Sequence, residues 1–265
     1  MKEIQGISLN VLKVIANICH EKGLRYTLAF GTLIGAIRHK GFIPWDDDVD
    51  ILMPRNDYEQ LLSFLENNPI PYISALNFRN TSKYVHGITR VCDTRYHVVE
   101  DIFEDYGLGI FIDIYPVDGL GNTIEESQIV YSKAIELADI VVDLSRKDKH
   151  HWQSVSPLKT RFKQWILFHI RKFRGYRFYL NKLQQYALSR PFEQFKYVGN
   201  SNWTWVPLCF EREWFDHLKS VQFEDAEFLV VEEYDAMLRL QYGDYMQLPP
   251  KEKQVCHHGY SAYRK

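Results

Sequence analysis

At 265 residues, 46% hydrophobic and 25% charged, the chain can bury a substantial core, so its composition excludes a disordered or fibrous protein. A formal net charge of −2 excludes whole-molecule electrostatic steering toward nucleic acid or an acidic membrane, so any such preference must come from a local patch. Cys19, Cys92, Cys209 and Cys256 lie far apart with no C-x-x-C pair, and Lys2, Glu3, Lys13, Glu21 and Lys22 break up the first apolar segment. The expectation is a cytoplasmic chain with reduced thiols, no signal peptide and no spanning helix.

Ile4, Ile7, Val11, Val14 and Ile18 alternate in steps of three and four, which predicts a first helix stopped at Gly23. Arg25 to Phe30 reads as a short strand, Leu33 to Arg38 as a brief helix, and Phe42-Ile43-Pro44-Trp45 as a turn, because proline lacks a donor. Asp47 to Met53 reads as a strand, followed by a helix through Tyr58, Leu61, Leu62 and Leu65 that Asn56 or Asp57 can cap. Residues 70–116, rich in β-branched and aromatic residues, predict several strands, the last spanning Gly109 to Tyr115. Thr123 and Glu126 fit a capping box for a helix reaching about Leu144.

Residues 149–192 contain no Asp or Glu, yet hold Lys159, Arg161, Lys163, Arg171, Lys172 and Arg174 among aromatic residues. Leu158, Phe162, Trp165, Ile166, His169 and Phe173 fall near one helical face. Such a helix can lie in the headgroup layer of an anionic membrane; the alternative is a packed helix with a basic solvated face. The expected organisation is a core over 1–145, a basic aromatic helical segment over 146–190, and a part over 191–265 packing on the core, together one compact unit. Peripheral contact with the inner face of the cell membrane is expected through residues 158–182. No nucleic-acid module is recognisable.

The most informative stretch is Trp45-Asp46-Asp47-Asp48-Val49-Asp50-Ile51. In a strand, Asp48 and Asp50 share one face while Val49 and Ile51 take the other. Two carboxylates that close repel, and a divalent cation with oxygen ligands, Mg²⁺ or Mn²⁺, resolves the conflict. Asp113, alone in the apolar Phe111-Ile112-Asp113-Ile114-Tyr115, is the candidate third ligand; its alternative partner is an arginine. Gly31-Thr32, at a strand-to-helix junction, offers backbone N–H groups to a phosphate.

The run Phe30-Gly31-Thr32-Leu33-Ile34-Gly35-Ala36-Ile37-Arg38-His39-Lys40-Gly41-Phe42-Ile43-Pro44-Trp45-Asp46-Asp47-Asp48-Val49-Asp50-Ile51 strongly resembles the signature of the LicD family. Members are phosphocholine transferases of bacterial surface polysaccharides, related to fukutin-like proteins, within the nucleotidyltransferase superfamily. Phe111 to Gly119 and the tail from Tyr242 to His258 are similar to the same family. The resemblance implies an α+β nucleotidyltransferase fold, a mixed β-sheet flanked by helices with a helical C-terminal portion. It implies Asp48, Asp50 and Asp113 as catalytic metal ligands, and Gly31 and Thr32 at the donor phosphates, with Thr32 replacing the usual serine.

By the same resemblance, two metals on the three acids would activate an acceptor hydroxyl and steady the leaving nucleotide. The donor would be CDP-choline and the acceptor a sugar of a teichoic acid or another surface polysaccharide, either lipid-linked or free. Arg38 and Arg90 are candidates for gripping phosphate oxygens, with a surface ion pair as the alternative for each. Trp45, Tyr115, Trp203 and Trp205 are candidate choline-binding aromatics. His39 and Lys40, in a spacer longer than usual for the superfamily, and His257 and His258 are further candidates. Other readings are another phospho-alditol or nucleotidyl payload, or an inert glycan-binding protein.

Overall fold

The computed structural model describes residues 1–154, 157–256 and 259–265. The chain opens with helix α1 (Lys2–Lys22), whose buried Leu12 and Ile15 extend the apolar stripe anticipated from the sequence. It stops at Gly23, held at φ 65°, where the glycine N–H reaches the carbonyl of His20. Strand β1 (Thr27–Leu28) is shorter than the expected Arg25 to Phe30, because Phe30 turns to φ 49° and starts helix α2 (Phe30–Ile34). A wide turn of π-helix (Gly35–His39) continues it, so the helix starts earlier than Leu33 and ends at His39.

Strand β2 (Asp50–Pro54) begins three residues later than expected, and Asp48 lies in the extended lead-in. Helix α3 (Arg55–Asn67) follows with Pro54 at its N-cap and no side-chain cap. Asp57 does not cap it; its carboxylate accepts instead from the Arg25 backbone N–H and guanidinium. Three strands lead on: β3 (Ile73–Leu76), β4 (Thr89–Asp93) and β5 (Tyr96–Glu100). Strand β6 (Ile110–Gly121) runs six residues past the expected end at Tyr115 because its far half finds a second partner.

Helix α4 (Ile124–Ser145) starts as the capping pattern requires. The Thr123 hydroxyl accepts from the Glu126 N–H, and Glu126 accepts from the Asn122 N–H. A short turn, α5 (His151–Ser154), precedes helices α6 (Leu158–Arg174) and α7 (Tyr176–Leu188). The rest comprises β7 (Tyr197–Gly199), β8 (Phe210–Glu211), β9 (Leu218–Phe223), β10 (Ala226–Val231), helix α8 (Tyr234–Tyr242) and β11 (Tyr260–Arg264). The C-terminal portion therefore mixes short strands with α8 and brief 3-10 turns, and the longer helices after α4 lie in the middle of the chain. Alternation from Ser220 to Phe223 favours a strand over a helix there.

The main sheet is mixed, in the order β1-β2-β6-β4-β3. Strands β2 and β6 are parallel, whereas β4 runs antiparallel to β6. The far half of β6 pairs with β7, and β7 with β8. The principal core gathers α1, α3, the sheet, the β9–β10 hairpin and α8; a second core joins α4 and α7 to Val85 and Phe103. The molecule is thus α+β, a mixed sheet flanked by helices. Among the described residues no helix is long and apolar enough to cross a membrane.

Candidate active site

The parallel register of β2 and β6 sets Asp50 directly beside Asp113. One step earlier, the Val49 carbonyl accepts from the Asp113 N–H at 2.8 Å, so the lead-in carrying Asp48 also runs along β6. The Thr32 hydroxyl accepts from the Asp50 N–H at 2.9 Å, fastening α2 to the acidic segment. Gly31 leaves room for a neighbouring acid: a Cβ there would meet an Asp46 carboxylate oxygen at 2.3 Å, so a larger residue would displace that side chain. The Gly-Thr pair therefore helps to build the acidic segment, with buried Thr32 accepting from the Asp50 backbone.

Asp48 and Asp113 open into a cavity of about 500 Å³. Arg90, Tyr115, Trp203 and Trp205 line it as well, so the fold gathers six of the candidate residues around one volume. His86, Glu100, Asp101, Phe103, Phe111 and Tyr260 complete much of the wall and were not singled out in the sequence. Of these, Phe111 was legible, because it precedes Asp113 by two residues and must share its face of the strand. Glu100 and Tyr260 come from the β5–β11 pair, a contact across 160 residues with no local signature.

Charge in the cavity is organised by Arg90. Its Nε donates to Asp113 Oδ1 at 2.9 Å, and its Nη1 donates to Glu100 at 2.8 Å and to the Tyr106 hydroxyl at 2.7 Å. The guanidinium lies 4.3 Å from the centre of the Phe111 ring. Arg90 is therefore a buried ion-pair partner, neither a surface pair nor a free phosphate grip. Burial raises the Asp113 carboxyl to about 6; Arg90 opposes this, while Asp48 and Glu100 add to it. Burial also opposes Glu100 ionisation, yet Arg90 and His86 hold its carboxyl far below the usual range. The His86 imidazole is lowered to about 4 by burial and then by Arg90, with Glu100 pulling the other way.

Burial holds the Tyr115 phenol well above its ordinary range, reinforced by Asp50, Asp113 and Asp48 in that order. All three acids thus bear on one hydroxyl, and a hard cation with oxygen ligands suits such a concentration of carboxylates. Arg90 occupies one Asp113 oxygen, and among the described residues no group of three or more His, Cys, Asp or Glu side chains is placed to hold a metal ion. The donor chemistry of the acids suits a divalent ion, and the strand register brings Asp50 beside Asp113.

The aromatic wall is held from β6. Trp203 and Trp205 meet edge to face at 5.0 Å, and the Trp203 N–H donates to Asn200, whose amide donates to the Pro116 carbonyl. Asn202 donates to Asp118, which also receives two hydrogen bonds from the buried Arg55 guanidinium. The second acid of the Ile-Asp-Ile-Tyr-Pro-Val-Asp-Gly run is thus an anchor for the tryptophan loop.

The remaining candidates stand apart from this cavity. Arg38 donates to the Tyr245 carbonyl at 2.7 Å and to His39 Nε2 at 2.9 Å. Trp45 packs into the principal core with its ring edge-on to His39, 6.5 Å away. Lys40 is exposed at φ 60° and its carbonyl accepts from the Glu224 N–H, so the long spacer docks on the β9–β10 turn. His257 and His258 lie outside the described residues.

The fold and cavity define an α+β protein with an acid- and aromatic-lined site beside two parallel strands. The family model described as "LicD/FKTN/FKRP, nucleotidyltransferase domain" matches residues 23–139, which carry the acidic segment, β4 and the first turns of α4. Over 267 aligned positions the chain is 30% identical to the lipopolysaccharide cholinephosphotransferase LicD of Haemophilus influenzae, spanning 99% of this chain and 97% of that one. An uncharacterised protein of Rickettsia typhi is 29% identical over 128 residues, 44% of this chain and 37% of its own. The chain belongs to the LicD family.

Proposed function

We propose that the chain is a transferase moving phosphocholine from CDP-choline to a sugar hydroxyl of a surface glycan precursor, whether lipopolysaccharide, teichoic acid or a related polymer. The observation that carries this reading is that carboxylates and a tryptophan wall share one cavity, in a chain similar along its whole length to a cholinephosphotransferase. A quaternary ammonium is held by aromatic faces, here Trp203, Trp205 and Tyr115. Glu100 and Asp101 in the same wall favour a cationic payload over a ribitol or glycerol phosphate, which carries no positive charge.

The nucleotidyltransferase fold assigned to the family accommodates this chemistry. Asp48, Asp50 and Asp113 would hold Mg²⁺ or Mn²⁺, which when bound neutralises charge on the transferring phosphoryl group. The acceptor oxygen bonds to the choline-bearing phosphorus as the bond from that phosphorus to the CMP oxygen breaks. The hydroxyl proton passes to a carboxylate oxygen of Asp113. Arg90 keeps that carboxylate oriented.

A donor panel tests the payload. CDP-choline, CDP-ribitol and CDP-glycerol are each offered with Mg²⁺ and a lipopolysaccharide or teichoic acid acceptor, and CMP release is followed. CDP-choline is expected to exceed the others by at least about tenfold, since cation–π contact is worth roughly 1–2 kcal/mol. Faster turnover of either alditol donor would transfer the assignment to that payload.

A further inference from the structure

Helix α6 presents its apolar residues to solvent. Phe173 is 94% exposed, Leu158 79%, Phe162 62% and Ile170 57%, while Phe168 is the helix's buried residue at 5%. The exposed positions, with Trp165 and Ile166, recur in steps of three and four and so form one continuous stripe. Gln164, Leu167, Phe168 and Arg171, which are less exposed, occupy the opposite arc and face the body of the protein. The packed-helix alternative fails on this point, because a helix packed for its own burial turns its apolar stripe inward.

The flanks of the stripe are basic. Lys159, Lys163 and Arg174 lie along one edge and Arg161 and Lys172 along the other, with no acidic residue between positions 149 and 192. In a chain whose net charge is −2, this is a strong local excess. A second copy of the helix laid across the stripe would bring these cations together, whereas an acidic lipid surface complements them and accepts the apolar residues beneath its headgroups. Position relative to the cavity adds a functional consequence. Val142 of α4 lines the cavity, while Ile140 and Asp143 of the same helix face a cleft shared with Gln164 and Arg171 of α6. Val142 lines that cleft as well, so α4 lies between the cavity and α6.

We infer that the outward stripe of α6 docks this protein on an anionic lipid bilayer, with the acid- and aromatic-lined cavity on the far side of α4. The docking stands independently of the phosphocholine assignment.

Sedimentation of the full chain with vesicles tests it. Vesicles of phosphatidylcholine with phosphatidylglycerol are expected to bind the protein at least about tenfold more tightly than phosphatidylcholine alone, with the preference shrinking as salt rises. The double substitution Phe162→Ser with Phe173→Ser is expected to lower vesicle affinity at least tenfold. Lys163→Glu with Lys172→Glu is expected to remove the lipid preference. Unchanged melting temperature and far-ultraviolet circular dichroism verify that the variants fold, and Leu158→Ser with Ile170→Ser supplies an independent pair. Equal binding by wild type and variants, or no binding to acidic vesicles, overturns the inference. So does a dimer in sedimentation velocity that Phe162→Ser with Phe173→Ser converts to monomer, which would make a second copy the occupant.

Discussion

The cavity and helix α6 are built from the same residue types, aromatics interleaved with basic side chains, and the fold uses them in opposite ways. At the cavity, Arg90 is buried over Phe111 and satisfied by Asp113, Glu100 and Tyr106. Along α6 the aromatics face outward and the neighbouring basic residues have no acid near them in sequence. The difference lies in pairing: carboxylates from β5 and β6 bind Arg90, whereas those of α4 that share a cleft with α6 form no ion pair with its basic residues among the described residues. Aromatic and basic composition alone therefore says nothing about whether a segment is a site wall or a docking surface.

The contrast predicts where substitutions are costly. The largest stability effect is expected from Asp118→Ala, which strands the Arg55 guanidinium in the interior and releases Asn202 from the tryptophan loop. Breaking such a pair costs about 3–5 kcal/mol, and calorimetry should record a fall in melting temperature of roughly 10 °C. An unchanged melting temperature would mean that the buried pair does not anchor the loop.

Next comes the acid response of His86. Its folded value of about 4 lies below its ordinary value of 6.5, so the unfolded chain takes up the proton first. Stability contributed by the neutral ring is complete above about pH 6.5 and is lost as pH falls toward 4, by about 3 kcal/mol. Urea denaturation at stepped pH should show this slope, and His86→Gln should flatten it. The same slope in the variant would assign the acid sensitivity to another group.

Trp203→Ala should raise KM for CDP-choline about tenfold, equivalent to roughly 1.4 kcal/mol, and change kcat less. An unaltered KM would remove Trp203 from the proposed choline wall. The smallest effect is expected on α6, where Phe173→Ser should alter unfolding free energy by less than about 0.5 kcal/mol because the ring is already in water. A loss of several kcal/mol would mean that the ring packs against protein after all.

Local patterns were legible wherever one element decides them. The three-and-four spacing of α1 and the Thr123–Glu126 cap depend on neighbours within a turn or two, and both form. The neighbourhood of Asp50 and Asp113 also followed from alternation in two apolar segments, although Asp48 proved to sit ahead of the strand. Long-range claims on a side chain were invisible. Asp57 was available to cap α3 until Arg25 took it, and Arg90 read as a phosphate grip or a surface ion pair until Glu100 and Tyr106 closed around it. The C-terminal portion read as helical, but its strands find partners in one another and in β5 and β6.

The central claim is that Asp48 and Asp50 serve chemistry and not folding. Its most direct test is the initial rate of CMP release from CDP-choline, with Mg²⁺ and a glycan acceptor, for wild type, Asp48→Asn and Asp50→Asn alongside their melting temperatures. The account predicts a loss of at least about 10³ in turnover, roughly 4 kcal/mol of transition-state stabilisation, with both variants folded. Turnover within a few-fold of wild type in both would contradict it.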